Sequence, residues 1–239
     1  MLRLVTKGFF NELVNYGVKR EEILRVATHL LDNVLHQDAS AGHPQIVSGT
    51  SLAANSVQDH WRDERRLVTD QVTLRPLARP LVARLAEWLR VPEISESFFP
   101  PFPSDEKALE HHCCDSPMCD YLAIEVGGEL VGIIGGENID RNSRRLEMRK
   151  LVGDSAFRGR GIGKRATQAF LYYAFSILDM HKVYVHSLDI NLRNLNINSS
   201  LGFELEGVFL EEIATPAGRR ADVVRMALFK PIWLALFGG

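Results

Sequence analysis

The sequence predicts a mixed α/β domain that begins near residue 70 and follows a helical N-terminal segment. Three observations predict this fold class. Strand-like and helical patterns alternate along the chain from Val72 onwards. The glycine pair Gly127-Gly128 separates two apolar runs, which is typical of a β-hairpin. A periodic pattern over residues 162–179 places apolar side chains on one face of a long helix.

The first seventy residues form a separate segment in this prediction. Apolar residues between Ile23 and Leu35 recur at the spacing of one buried helix face, so a helix is predicted within about residues 7–37. Small and turn-forming residues interrupt the pattern over 38–60, and the charged stretch 59–66 is predicted to be a short helix or a linker. We expect a helical extension over 1–70, the α/β domain over 71–231 and an apolar tail over 232–239.

Within the α/β domain, strands and helices alternate. The predicted strands cover residues 72–75, 121–126, 129–135, 144–152, 182–188, 203–213 and 223–229. The predicted helices cover residues 79–90, 104–115 and 162–179, with a short one that ends at Leu201. Ser104 is the expected N-cap of the second helix, because a serine hydroxyl accepts hydrogen bonds from the free N–H groups of a first turn.

Charge and cysteine content narrow the class of protein. The 28 lysines and arginines nearly balance 30 acids, which argues against a nucleic-acid binder that is basic overall. Three cysteines do not make a disulfide framework, and the N-terminus lacks the apolar stretch of a secretory signal. Because no apolar run approaches the roughly 18 to 20 residues of a membrane span, we expect a cytoplasmic protein with no membrane partner.

The basic side chains are concentrated in one place. Residues 141–165 hold nine lysines or arginines and two acids, a local charge of +7, so the rest of the chain carries −9. A basic island in an acidic protein indicates an anionic ligand that binds at one site. Nucleic-acid binding by the same island is the alternative interpretation, and it predicts an affinity that falls steeply with salt.

A glycine-rich turn lies inside this island, between a predicted strand and the long predicted helix. Gly159, Gly161 and Gly163 leave the backbone N–H groups open to a ligand. Together with the positive end of the helix dipole, these groups form a cradle for an anion. The sequence therefore predicts a bound phosphate or pyrophosphate, although glycines at this spacing also occur simply to shape a loop before a helix.

The spacing of the turn tests the known phosphate-binding patterns. The P-loop pattern needs glycine at position 158 and serine or threonine at 165, and both positions hold arginine. The dinucleotide pattern G-x-G-x-x-G does not fit when it starts at Gly159, because its last position is then Lys164. When the pattern starts at Gly161, its last position is Ala166, which is a tolerated variant. The preceding strand argues against the dinucleotide pattern, because it alternates polar and apolar residues, whereas a central parallel strand is apolar on both faces.

Several motifs in register resemble the GNAT acetyltransferases. Arg158-x-x-Gly161-x-Gly163 is similar to their pyrophosphate turn, and the segments 173–186, 201–207 and 220–227 follow in the order of the family. Val72-Thr-Leu-Arg-Pro76 matches a first strand of the RimJ/RimL/SpeG-like branch. The resemblance covers about residues 72–230 and excludes the first seventy.

This resemblance implies a GNAT fold, with a central mixed and mostly antiparallel sheet flanked by helices. It also implies transfer of an acetyl group from acetyl-CoA directly to an amine. A gap between two diverging strands would take the pantetheine arm, and a backbone N–H near Leu151 would stabilise the oxyanion of the thioester. The implied cofactor-binding residues are Leu151, Val152, Arg158, Gly159, Arg160, Gly161, Ile162, Gly163, Lys164, Asn191 and Asn194.

Two residues are candidates for catalysis. Glu147 lies on the strand where many family members carry an acid, and it would accept the amine proton directly or through water. The alternative is that Glu147 is only a charge partner of Arg145 or Arg149. Asn198 occupies the position where relatives often have a tyrosine that protonates the departing sulfur. An amide has no such proton to give, so Asn198 implies slower or differently assisted thiol release.

Weaker signals remain beside these motifs. His111-His-Cys-Cys114 with Cys119 invites a zinc interpretation, but adjacent residues on a helix point in different directions and no metal is expected. Residues 98–103 form either a substrate lid or a packed surface loop. The apolar tail packs on the core or on a second subunit, so a homodimer is one expected arrangement.

These observations favour an acetyl-CoA-dependent N-acetyltransferase. The expected acceptor is a primary amine, either of a small molecule such as a polyamine or an amino sugar, or of a protein N-terminus. The alternative function is a degenerate module that binds acyl-CoA as a non-catalytic sensor or scaffold.

Overall fold

The computed structural model describes residues 57–95, 98, 101–188, 192–214, 218 and 220–237. The helix expected within residues 7–37 lies outside the described residues, as does Asn191.

The described residues form strands and helices in alternation. The strands are β1 (Gln58–His60), β2 (Arg66–Val68), β3 (Thr73–Pro76), β4 (Asp120–Val126), β5 (Glu129–Asp140), β6 (Arg145–Val152), β7 (Lys182–Leu188), β8 (Glu204–Ala214) and β9 (Arg220–Phe229). The helices are α1 (Trp61–Glu64), α2 (Val82–Leu89), α3 (Pro92–Ser95), α4 (Glu106–Glu110), α5 (Ile162–Tyr172), α6 (Leu192–Ser199) and α7 (Lys230–Phe237). Two π-helical turns, His111–Asp115 and Tyr173–Ile177, extend α4 and α5.

All the described strands belong to one sheet in the order β1-β2-β3-β4-β5-β6-β7-β9-β8. Neighbouring strands are antiparallel except for β6 and β7, which run parallel. The prediction of a mixed, mostly antiparallel sheet is therefore confirmed. The charged stretch 59–66 contains the short helix α1, but strands β1 and β2 on either side of it also join the sheet. Such three-residue strands are too short to show a two-residue alternation in sequence.

The sheet has an apolar layer on each face, because alternate residues of a strand point to opposite sides. Leu122 and Ile124 of β4 belong to the layer with Phe170 of α5, whereas Tyr121 and Ala123 belong to the layer with Leu85 of α2. The periodic face predicted over 162–179 is buried as expected, although its last part is the π-helical turn.

Strands β6 and β7 separate after a short contact. They pair only at Arg145↔Lys182, Leu146↔Val183 and Glu147↔Tyr184. Beyond those pairs, β6 stays bonded to β5 as far as Val152, and β7 stays bonded to β9 as far as Leu188. Because each strand follows its outer neighbour, a gap opens between them, and this gap faces the loop that leads into α5.

Two local expectations need correction or completion. The N-cap of α4 is Asp105 rather than Ser104, and its carboxylate accepts a 2.9 Å hydrogen bond from the backbone N–H of Ala108. The C-terminal segment forms α7, and the ring of Trp233 packs 5.4 Å from that of Phe175. The tail therefore packs on the core, one of the two arrangements expected.

In the described part of the chain, no helix combines the length and apolarity that a membrane crossing requires.

Candidate active site

The loop between β6 and α5 has the backbone geometry of an anion site. Gly159 and Gly161 have φ angles of +82° and +84°, in the left-handed region that side chains with a Cβ rarely adopt. Gly161 is the N-cap of α5, which begins at Ile162. The first N–H groups of a helix have no partner within the helix, and the dipole makes this end positive. We call residues 158–164 the glycine cradle.

The basic side chains around the glycine cradle divide into two groups. Arg158 donates hydrogen bonds to the carbonyl oxygens of Val152 (3.0 Å) and Gly153 (2.9 Å), and so holds the loop in shape. Arg165 forms an ion pair with Asp70 at 3.1 Å. Within the described residues, Arg160 and Lys164 form no ion pair, so their charges are available to a ligand.

Lys150 is a further basic residue beside the cradle, and the sequence analysis missed it. Its Nζ donates a 2.8 Å hydrogen bond to Thr167 Oγ1, whose hydroxyl donates to the carbonyl of Gly163 at 2.8 Å. Burial lowers the pKa of Lys150 to about 8. The alternation of β6 was the available signal, because it places Lys150 on the face opposite Glu147 and Arg149.

Glu147 lies on the other face of β6, at the point where β6 and β7 separate. It is only 3% exposed. The ring of His186 lies with Nδ1 3.0 Å from Glu147 Oε1, and Asn138 Nδ2 donates to Oε2 at 3.0 Å. Asn138 has a φ of +50° at an irregularity in the pairing of β5 with β6, which re-aims its side chain. Arg145 pairs instead with Asp140 at 3.5 Å.

Glu137 forms the centre of a second buried group on the same side of the sheet. Arg149, the other partner suggested for Glu147, forms an ion pair with Glu137 at 2.9 Å. Glu137 Oε1 also lies 2.8 Å from Nε2 of His112 and accepts a hydrogen bond from the hydroxyl of Tyr121. We call Glu137, Glu147, Arg149, His112 and His186 the carboxylate cluster.

The surroundings of Glu137 and His112 stabilise opposite charges. Burial opposes ionisation of Glu137, but the hydrogen bond from His112 and the charge of Arg149 outweigh it and lower its pKa to about 2. Hydrogen bonds with Cys119 and Glu137 raise the pKa of His112 to about 9. The sequence did not predict that Glu137 and His112 would form a buried charged pair, because the two residues are distant in sequence.

The structure brings together a different set of side chains from the His111-His-Cys-Cys114 and Cys119 set that suggested zinc. His112, Cys119 and Glu137 have ligand atoms within 4.8 Å of one another. Burial raises the pKa of the Cys113 thiol, which belongs to the apolar layer with Leu85. Glu137 already pairs with Arg149 and His112, so this group is satisfied without a cation.

Two aromatic rings of the proline-rich segment lie against this cluster. The guanidinium of Arg149 is 4.3 Å from the ring centre of Phe102 and 5.2 Å from that of Phe98. Such cation–π contacts hold the rings over the buried ion pair. The described residues of the segment therefore pack as a wall of the site, which fits the packed-loop interpretation.

Helix α6 carries two asparagines of the predicted site, of which Asn194 contacts β7. Asn194 donates from Nδ2 to Ser187 Oγ at 3.4 Å. Asn198, one turn further along, is completely buried, and neither Nδ2 nor Oδ1 has a hydrogen-bond partner among the described residues. Leaving a buried polar group unpaired costs about 1 to 3 kcal/mol. This orphaned amide fits a site that a ligand completes.

The family of the chain follows from a comparison with known domains. The acetyltransferase (GNAT) domain matches residues 71–204. The chain belongs to the GNAT acetyltransferase family. The resemblance stated from the sequence is thus confirmed.

Relatives of this GNAT chain include polyamine enzymes. It is 28% identical over 114 residues to spermidine N(1)-acetyltransferase from Escherichia coli K12, which covers 48% of this chain and 60% of that protein. The corresponding protein of Vibrio cholerae is 25% identical over 58% of this chain and 79% of its own length. The crystal structure of the Vibrio cholerae enzyme with CoA and spermine aligns with a TM-score of 0.63 and 26% identity, over 70% of this chain and 99% of that one.

Proposed function

We propose that this protein transfers an acetyl group from acetyl-CoA to a primary amine. The observation that carries the proposal is the separation of β6 and β7 immediately after Glu147, next to the glycine cradle. A buried carboxylate then lies at one end of the gap, and an anion site lies at the other. Membership of the GNAT family supplies the reaction class.

In this proposal, the glycine cradle and the gap bind the acetyl-CoA. The backbone N–H groups near Gly161, Ile162 and Gly163 hold the pyrophosphate, with Arg160 and Lys164 adding charge. Arg158 acts mainly through the loop carbonyls to which it donates. The backbone of Leu151 and Val152 contacts the pantetheine arm, Asn191 and Asn194 are the proposed hydrogen-bond partners near that arm, and an N–H near Leu151 stabilises the oxyanion.

Asn198 is proposed to assist the departure of the sulfur. Thiols have a pKa of about 8.5, so release of a thiolate near neutral pH costs only about 2 kcal/mol relative to the thiol. A hydrogen bond from the Asn198 Nδ2 to the sulfur would offset part of this cost. It would also give the orphaned amide the partner that it lacks among the described residues.

A small amine, and a polyamine in particular, is the proposed acceptor. Relatives from Escherichia coli and Vibrio cholerae are named for spermidine, and the Vibrio cholerae structure was solved with spermine. The buried carboxylate of Glu147, which bonds to Asn138 and His186 rather than to a lysine or arginine, gives the site the negative charge that suits a cationic acceptor. An amino sugar or a protein N-terminus is a competing acceptor, because each also presents a primary amine.

A second candidate function is non-catalytic binding of acyl-CoA as a sensor. The specific observation in its favour is the asparagine at position 198, where relatives often carry a tyrosine. A single assay separates the two functions: thiol release from acetyl-CoA with spermidine, spermine, glucosamine and a peptide as acceptors. Turnover with spermidine above the blank supports the enzyme. Binding of acetyl-CoA without turnover for any amine supports the sensor.

Self-association is proposed through strand β8, which forms one edge of the sheet. Its residues are exposed except for Gly207 and Ile213, which are partly exposed, and Leu205 and Leu210 are 62% and 69% exposed. Large apolar side chains exposed on an edge strand are usually covered in a native protein. Light scattering after size exclusion should show a homodimer or larger assembly that Leu210→Glu disrupts and Val91→Glu, at another exposed site, does not.

A further inference from the structure

The side chain of Glu147 is poorly placed to meet an amine itself. It is 3% exposed, and each of its oxygens already faces a polar hydrogen donor. His186 Nδ1 lies 3.0 Å from Oε1, and Asn138 donates to Oε2. A general base must come within hydrogen-bond reach of the proton that it removes. Because Glu147 is buried, a more exposed group that contacts it is better placed to take the proton of the amine.

His186 is that group. It follows the last β6–β7 pair, Glu147↔Tyr184, by two residues, so it shares a face with Glu147 and lies where the gap has opened. Its side chain is 20% exposed. Nε2 of the ring has no hydrogen-bond partner among the described residues. An ionised carboxylate only accepts hydrogen bonds, so Nδ1 is the nitrogen that donates to Glu147, and in the neutral imidazole Nε2 then keeps its lone pair.

The ring is held in place by more than one contact. The ring of Tyr184 lies 5.5 Å away and that of Phe209 lies 5.8 Å away, each nearly perpendicular to it. Asn138 fixes the carboxylate to which the imidazole is bonded. An imidazole with one nitrogen bonded to a buried carboxylate and the other one open is oriented for proton transfer.

Titratable groups lie near this pair. Those on the strand of His186 and on the neighbouring strands, on its side of the sheet, are Glu147, Arg149, Tyr184 and Arg225. Arg225 is the register partner of His186 on β9, and its guanidinium stacks 4.0 Å from the ring centre of Tyr184 and pairs with Glu206 at 2.8 Å. Its charge is thus partly compensated, and the nearest carboxylate to the imidazole is Glu147.

We propose that His186 is the catalytic base and that Glu147 is the residue that positions it, an inference that rests on the proposed acetyl transfer. The amine nitrogen forms the new C–N bond with the thioester carbonyl carbon. Its proton goes to Nε2 of His186, and Glu147 stabilises the imidazolium that results. The C–S bond breaks with its electron pair going to sulfur, and the thiolate then takes a proton from the imidazolium or from solvent.

The test measures thiol release with acetyl-CoA and spermidine in the wild type, His186→Ala, His186→Gln and Glu147→Gln. We expect His186→Ala and His186→Gln to lower kcat by about 100- to 10,000-fold, the usual contribution of a general base. The Kd for acetyl-CoA, from calorimetry, should stay within about threefold. Added imidazole should restore turnover to His186→Ala and not to Glu147→Gln. His111→Ala, at a 75% exposed histidine, is the matched control.

The outcomes separate the two proposals. A wild type that releases no thiol with any amine overturns the acetyl transfer and this inference with it. An active wild type with His186 variants within about tenfold of its kcat overturns only this inference and makes Glu147 the base. Lost activity in both folded His186 variants, without rescue of His186→Ala by imidazole, assigns His186 a structural role and likewise overturns it. If His186→Ala does not fold, the kcat and Kd of His186→Gln decide.

Discussion

The glycine cradle and the carboxylate cluster are both anchored on β6, yet they are built in opposite ways. The cradle is backbone from seven consecutive residues at the start of one helix. The cluster consists of side chains from the π-helical turn after α4 and from β5, β6 and β7. A backbone site depends on conformation, whereas a side-chain cluster depends on register. The two should respond differently to substitution, and each prediction below measures one side of that contrast.

The largest expected effect lies in the carboxylate cluster. Glu137→Ala removes the carboxylate of a buried ion pair with Arg149, and removing one member of such a pair typically costs about 3 to 5 kcal/mol. Chemical denaturation should show this loss in the free energy of unfolding. The control is Glu64→Ala, which breaks an exposed pair with Arg66 and should cost at most about 1 kcal/mol. Equal losses in both variants would contradict the role of burial.

The next effect concerns the cradle. Gly161→Val forces a β-branched residue into a φ of +84° at the start of α5 and should weaken CoA binding by at least about 100-fold. Calorimetry with CoA measures the affinity. Gly207→Ala is the control, because nothing lies within 4 Å of the added Cβ there. Unchanged CoA affinity in Gly161→Val would remove the pyrophosphate from the cradle.

The same contrast between a backbone site and a side-chain cluster explains which parts of the candidate site could be predicted from the sequence. The cradle was predictable because its glycines and basic residues are contiguous and precede a strongly periodic helix. Glu147 was predicted as a candidate base from the family resemblance, because many relatives carry an acid on that strand. Its partner His186 lies 39 residues away and was missed, because that contact requires the parallel register Glu147↔Tyr184 and the irregularity at Asn138. A register of this kind has no signature in a single sequence.

Strands β1 and β2 and the two π-helical turns were missed for a different reason. Each is three to five residues long, shorter than the window in which periodicity is visible. The π-helical turn at His111–Asp115 matters for the site, since it turns His112 towards Glu137 while Cys113 enters the apolar layer. The sequence predicted a regular helix over residues 104–115, and regular helical spacing would point His112 and Cys113 in other directions.

The third prediction concerns pH and the stability of the cluster. The pKa of His112 is raised from 6.5 to about 9, so its contribution is complete below about pH 6.5 and is lost as the pH rises through 9. His112→Gln should therefore lower the free energy of unfolding by about 1 to 3 kcal/mol at pH 6 and by much less at pH 10. His111→Gln, which is exposed, should show no such dependence. A loss that is equal at both pH values would mean that His112 is not held protonated.

The smallest expected effect tests whether the orphaned amide belongs to the ligand site. Asn198→Leu replaces a completely buried amide that has no partner among the described residues with an apolar side chain of similar size. The free protein should become more stable by about 1 kcal/mol, because the cost of the unpaired polar group disappears. Thiol release should slow at the same time, since the sulfur loses its proposed donor. Asn194→Leu is the comparison, since Asn194 has a hydrogen bond to Ser187 to lose and should gain no stability. A destabilised Asn198→Leu with normal turnover would instead make Asn198 an internal structural residue, and the site would then need another donor for the departing sulfur.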